Sequence, residues 1–136
     1  MNAISKFNLK VVTGQREVFN GEVNRVIVRT TQGDIGILKG HANYVAALGI
    51  GQMKITIDGV DKLAAIASGM IKVDKTGCII LAGTCEWADE IDVERAKLAR
   101  DRSMKYIDAP TQRHSIDIAT LKLHRALNRI KIGDIK

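Results

Sequence analysis

Over residues 7–82 apolar and polar side chains alternate with a period of two, as expected for strands that bury one face and expose the other. In Met53-Lys54-Ile55-Thr56-Ile57 the apolar residues share one side and the polar residues the other. Asp58-Gly59 follows with hairpin-turn chemistry, since both residues tolerate positive φ, and residues 60–67 form the return strand. The same alternation predicts strands over residues 7–13, 23–30, 71–74 and 78–82, separated by Gly14, Gly21, Gly33, Gly69 and Gly77. Gly49-Ile50-Gly51 is expected to be a turn. Several short strands at this spacing predict an antiparallel β-sandwich or flattened barrel, an arrangement that limits exposed sheet edges.

Beyond Glu86 the period changes to three and four. Ala96, Ala99, Ser103 and Tyr106 share one helical stripe, and Ile116, Ala119, Leu123, Ala126 and Ile130 share another. Asp108-Ala109-Pro110-Thr111 interrupts the pattern, because proline cannot continue a helix, and Ser115 or Asp117 is the expected start of the next one. The predicted fold is therefore α+β: an N-terminal antiparallel β-sandwich over residues 1–88, then a C-terminal antiparallel α-helical hairpin over residues 89–136. The hairpin stripes are rich in Ala and Ser, which let backbones approach but bury little apolar area. A weakly anchored element beside a well-cored sheet is suited to conformational switching.

Composition adds bounds. At 136 residues, 46% hydrophobic and 26% charged, the chain is sized for one compact domain with an appendage, which excludes two independent enzyme domains. Met1-Asn2-Ala3-Ile4-Ser5-Lys6 lacks the apolar run of a signal peptide, and no segment approaches the ~20 apolar residues of a spanning helix. The expected location is the cytosol, or a membrane surface reached only through partners. Cys78 and Cys85 are too few for a zinc site or a disulfide framework and are expected to be buried thiols. The net charge of +6 is spread along the chain, but residues 115–136 carry Lys122, Arg125, Arg129, Lys131 and Lys136 against Asp117 and Asp134. Such a helix seeks an acidic surface.

Phe7-Asn8-Leu9-Lys10-Val11-Val12-Thr13, Gly21-Glu22-Val23 and Gly33-Asp34-Ile35-Gly36-Ile37-Leu38-Lys39-Gly40-His41-Ala42 resemble, in order and spacing, the head domain of F-type ATP synthase epsilon subunits. Ala67-Ser68-Gly69, Glu90-Ile91-Asp92 with Arg95-Ala96, and Arg125-Ala126-Leu127-Asn128-Arg129 extend the resemblance over nearly the whole chain. Asn43, Gly14 and Met70 depart from it, standing where the family usually has proline, proline and glycine. The resemblance implies a non-catalytic central-stalk subunit at the cytoplasmic side of a bacterial cell membrane, with a sandwich that binds the gamma subunit and rests on the c-ring. It implies that a loop at residues 33–40 faces the ring, with Asp34 offering its carboxylate, and that His41 lies toward gamma. It also implies a hairpin that extends toward the alpha and beta subunits and restrains ATP hydrolysis. Lys122, Arg125 and Arg129 stand at offsets of three and four and would meet an acidic segment of beta through one basic face.

Some relatives bind ATP in the folded hairpin as a regulatory ligand, and the resemblance carries that site over to Glu86, Ile91, Asp92, Arg95, Ala96, Arg125 and Arg129. Arginine forks suit phosphate oxygens, Asp92 or Glu86 would accept hydrogen bonds from adenine or ribose, and Ala96 would leave room for the base. Asp92 and Arg95 are also a plain i,i+3 helix pair. No G-x-x-x-x-G-K-[ST] loop or G-x-S-x-G elbow occurs, and His41, His114 and His124 lack metal-ligand spacing, so no intrinsic catalysis, required cofactor or metal is expected. A rival class is a basic β-domain for single-stranded nucleic acid; its weakness is the scatter of Phe7, Phe19, Tyr44, Trp87 and Tyr106, because such readers cluster aromatics.

Overall fold

The structure, a computed structural model, describes residues 5–108 and 113–134. The chain divides into two compact units, Met1–Trp87 and Ala88–Lys136. The first contains β1 (Phe7–Val12), β2 (Glu17–Val23), β3 (Arg25–Thr30), β4 (Gly33–Ile37), β5 (Tyr44–Ile57), β6 (Val60–Asp74) and β7 (Gly77–Trp87). All seven join in one hydrogen-bonded sheet of order β2-β1-β7-β6-β5-β3-β4. The sheet folds back on itself and brings β2 against β5. The enclosed core is aliphatic, with Leu9, Val11, Val26, Val28, Ile37, Met53, Ile55, Ile66, Ile71 and Ile80 fully buried. Each such side chain contributes on the order of 1.5–3 kcal/mol relative to exposure.

The expected sandwich is present, with one difference in pairing. Five ladders are antiparallel, but β1 runs parallel to β7, Leu9 opposite Cys78 and Val12 opposite Leu81. Period-two alternation is the same in both pairings, so the direction is decided by where the chain ends of the unit meet. The Asp58-Gly59 turn is as expected. Both residues have positive φ (51° and 80°), Ile57 pairs with Val60, and the buried Asn24 amide oxygen accepts the Asp58 N–H at 2.7 Å.

Strands β5 and β6 hold 14 and 15 residues, far beyond the common length of about 5–6, because they run through both layers. Their mutual register keeps the same offset from Tyr44↔Val73 to Ile57↔Val60, although no residues pair between Ala47↔Met70 and Gly51↔Ile66. At that level the buried alternation slips by one in three strands together: from Leu48 to Met53 in β5, from Ile66 to Ile71 in β6 and from Ala82 to Cys85 in β7. The expected turn at Gly49-Ile50-Gly51 and the expected break at Gly69 are therefore bends inside continuous strands. A slip in alternation looks like a strand end when read along the chain. At the centre of the bend Ser68 has φ 60° and Gly69 φ 117°. A Cβ on Gly69 would strike the Leu81 carbonyl and the Ala82 Cα of the adjacent strand.

Residues 33–40, expected to be a loop, are mostly strand. β4 pairs with β3 from Thr30↔Gly33 to Val26↔Ile37, and only 38–40 turn, closed by the His41 N–H donating to the Leu38 carbonyl at 3.1 Å. At the β6–β7 turn the Asp74 carboxylate accepts the Thr76 N–H at 2.8 Å, and the Thr76 hydroxyl and N–H hold the Asp74 pKa below its ordinary value.

The second unit opens with a 3-10 turn at Ala88–Glu90, then α1 (Val93–Asp108) and α2 (Arg113–Gly133). Glu90-Ile91-Asp92 immediately precedes α1. Asp92 is the N-cap, its Oδ1 accepting the Arg95 N–H at 3.1 Å and its carbonyl the Ala96 N–H at 3.0 Å. Helix α2 begins at Arg113, upstream of both expected starts. The side chains of Tyr106, Ser115 and Ile116 and the break at residues 109–111 lie outside the described residues. Ala96, Ser103, Ala119 and Ala126 are buried, while Ala99, Leu123 and Ile130 are half-buried. A Cβ on Gly133 would sit 2.6 Å from Val93 Cγ2 and 3.1 Å from Ile91 Cγ2, so the end of α2 lies against the start of α1.

Gly69→Ala is expected to destabilise the β-unit by more than ~1 kcal/mol, since it combines an unfavourable φ with a backbone collision. Urea titration checks this; an unchanged midpoint would mean that the bend does not depend on the bare backbone at Gly69.

Candidate functional site

Asp34 stands on β4, the last strand of the sheet order, directly opposite Arg29 of β3. Arg29 Nε donates to Asp34 Oδ1 at 2.6 Å, and the second guanidinium nitrogen reaches Oδ2 at 3.5 Å. The hydrogen bond first, and then the Coulombic attraction, raise the Arg29 pKa. Both side chains are about half exposed, at 47% and 52%. His41 lies in the segment between β4 and β5. Its Nδ1 lies 2.7 Å from the Ala42 carbonyl, an acceptor that keeps the proton on Nδ1, and its ring meets Tyr44 edge-on at 5.9 Å. Asp34 thus lies near the start of the edge strand and His41 beyond its end, and Asp34 has in Arg29 a partner that the chain pattern did not single out.

A larger feature lies on the outer face of β5, β6, β7 and β1. Cross-strand pairing aligns Val45, Lys72, Ile79 and Lys10 in one row and Ala47, Met70, Leu81 and Val12 in the next. Ile71, Val73, Cys78, Ile80, Leu9 and Val11 point to the core, so these two rows point away from it. Val45, Met70, Ile79 and Leu81 are 62%, 42%, 41% and 46% exposed. The result is a contiguous apolar surface, with Lys72 set between Val45 and Ile79 and Lys10 beside Ile79, the kind of patch that marks an interaction site. Met70, which departs from the glycine usual in the resembled family, lies within it. The signal available in the chain was Cys78-Ile79-Ile80-Leu81-Ala82, a run whose strand is apolar on both faces.

In the helical unit the antiparallel course brings α2 near Arg129 beside the start of α1, so Ile91, Asp92, Arg95, Ala96 and Arg129 gather at one end. Asp92 and Arg95 are exposed, but the Asp92 carboxylate caps the helix and does not form the expected side-chain pair with Arg95 among the ion pairs described. Ile91 and Ala96 are buried, at 2% and 0% exposure, and fill the interior instead of facing a base. Lys122 and Arg125 are exposed and Arg129 is half-buried. Glu86 belongs to the other unit, half-buried on β7 opposite Ala65.

The remaining chemistry is structural. Burial pushes the Cys78 thiol up to about 12, leaving it protonated and unreactive near neutral pH, and Cys85 is also a buried thiol. Trp87 is buried, meets Phe19 edge-on at 6.4 Å and takes Lys62 Nζ over its ring at 4.0 Å, while Phe7, Phe19 and Tyr44 pack on the core. Among the described residues these aromatics support the core and offer no stacking platform for bases. Among the described residues no helix is long and apolar enough to cross a membrane.

Comparison with known proteins agrees with this two-part architecture. The family model for the beta-sandwich domain of the ATP synthase delta/epsilon chain matches residues 6–88, and that for its long alpha-helix domain matches residues 89–133. The chain is 42% identical over 131 residues to the ATP synthase epsilon chain of Ruminococcus albus, covering 96% of this chain and 98% of that protein. It is 36% identical over 137 residues to the ATP synthase epsilon chain of Staphylococcus saprophyticus, covering 100% of both. Among solved structures it resembles a chain of the Euglena gracilis mitochondrial ATP synthase, in an assembly of OSCP, F1 and c-ring, with TM-score 0.82 at 20% identity, covering 100% of this chain and 85% of that one. At that identity the likeness concerns the fold alone. The outer-face strands, the bent β5–β6 pair and the alanine-lined helices fall within matches that span residues 6–133, and the chain belongs to the ATP synthase delta/epsilon chain family.

Proposed function

We propose that the chain is a non-catalytic rotor subunit of the central stalk. Its β-unit is held on the gamma subunit and rests on the c-ring, so that ion-driven rotation is transmitted to the catalytic head. The observation that carries this reading is the outer face of Val45, Met70, Ile79 and Leu81, apolar on a strand surface that water would otherwise cover. Moving one such side chain into a dry interface is favourable by on the order of 1–2 kcal/mol before association costs, which suits a lasting contact better than a passing one. Lys72 within the patch and Lys10 beside it would fix orientation more than affinity. The Asp34 edge is the ring-facing end, with His41 on the gamma side. The chain reaches the cytoplasmic side of the membrane only through these partners.

The helical unit restrains hydrolysis by leaving its folded state and extending toward the alpha and beta subunits. What supports this is the contrast in packing. The β-unit encloses many branched aliphatics, while the buried positions of the helices are mostly small, Ala96, Ser103, Ala119 and Ala126, with Ile91 and Ile132 as the large ones, so separating the helices exposes less apolar surface than opening the sheet would. Exposed Lys122 and Arg125, with Arg129, supply the basic face for an acidic segment of beta. ATP is a regulatory ligand of the folded state, held through phosphate by Arg95, Arg125 and Arg129; a ligand that binds one state alone shifts the population by its concentration over its Kd. Because Ile91 and Ala96 are internal, the base is accommodated at their margin, beside Asp92.

Three outcomes test these statements. Leu81→Glu places a charge in the apolar face; the variant should fold normally yet no longer co-purify with gamma, and full retention would remove this face from the rotor reading. Deleting residues 89–136 should raise ATP hydrolysis by the reconstituted complex with assembly intact, whereas unchanged hydrolysis removes the inhibitory role alone. Millimolar ATP should raise the melting temperature of the isolated chain, and Arg125→Ala should abolish that rise; no shift in the parent protein rules out ATP sensing.

A further inference from the structure

The Arg29–Asp34 couple is a half-exposed ion pair, a type that stabilises folded proteins little. Its geometry is nevertheless specific. Asp34 lies on the edge strand, so its carboxylate stands at the rim of the sheet, with no further strand beyond it among the described residues. The Arg29 stem rests on the bare backbone of Gly51 in β5: a Cβ there would lie 2.5 Å from Arg29 Cβ and 2.7 Å from its Cγ. The stem therefore has backbone beneath it, and the guanidinium is directed to Asp34, with Nε on Oδ1 at 2.6 Å. Oδ2, at 3.5 Å from the other nitrogen, is held only at the limit of a hydrogen bond and keeps acceptor capacity for an incoming donor.

We propose that Arg29 is a positioning residue for docking: it holds one Asp34 oxygen so that the other is presented, already oriented, to a hydrogen-bond donor on a loop of the partner that meets the β4 edge. This rests on the reading above that the Asp34 edge faces the membrane ring. An unrestrained carboxylate loses rotamer freedom on binding, whereas one already held by Arg29 has lost it in the folded protein. Because the couple carries no net charge, recognition depends on short-range geometry and only weakly on salt.

The experiment titrates full-length chain onto the rest of the rotor, purified without this subunit, and measures Kd at low and moderate salt. Arg29→Gln should fold with an unchanged melting temperature and weaken binding about two- to ten-fold, the cost of immobilising one side chain. Arg29→Lys should fall between, since a single ammonium lacks the planar fork. In an Asp34→Asn background, Arg29→Gln should have no further effect. If Asp34→Asn alone leaves Kd unchanged, the ring-facing reading of that edge fails. If Asp34→Asn weakens binding while Arg29→Gln is neutral, tightens binding or adds independently to it, the positioning role fails and the ring-facing reading stands.

Discussion

The β-unit depends on one close approach: the backbone of β6 at Ser68-Gly69 lies against the Leu81 carbonyl of β7, with no room for a side chain on Gly69. At that point the sheet bends and the inward positions of β5, β6 and β7 slip by one together. Without the bend, a 15-residue strand would continue flat and leave one face of its aliphatic residues in water. With it, a single hydrogen-bonded sheet becomes two layers around one core. The register Ala67↔Thr84 to Gly69↔Ala82 carries through the bend unbroken, so the two strands turn as a unit.

The same bend gives the unit its outer surface. Positions 45 and 47, 70 and 72, 79 and 81, and 10 and 12 come into two aligned rows on one side of the bend, four large apolar residues with lysines among them. The parallel β1–β7 ladder completes this surface by setting Lys10 and Val12 beside Ile79 and Leu81. An apolar outer face on strands that also supply the core is a conflict for a lone domain and an asset for one that is held against a partner.

The helical unit solves a different problem. Its seam is mostly alanine and serine, which permit close backbones at small apolar gain, and it closes at Gly133 against Ile91 and Val93, next to the buried Ile132. Asp92 contributes by satisfying the first turn of α1, a local task that needs no other element. Large buried aliphatic side chains are therefore concentrated in the sheet, and the hairpin buries mainly small ones.

The chain alone determined the features set by near neighbours. The Asp58-Gly59 turn, the change of period after Glu86, the alanine stripes and the α+β order follow from local backbone chemistry and from side-chain spacing within one element. Tertiary structure decided what distant segments do to one another: the parallel pairing of β1 with β7, the bends that read as a turn at Gly49-Ile50-Gly51 and a break at Gly69, the strand at Gly33–Ile37, the Arg29–Asp34 couple and the apolar outer face. Each depends on cross-strand register, and register is a property of two segments together. Alternation within a strand specifies that two faces exist, but only the neighbouring strands specify which residues share a face and which face meets water.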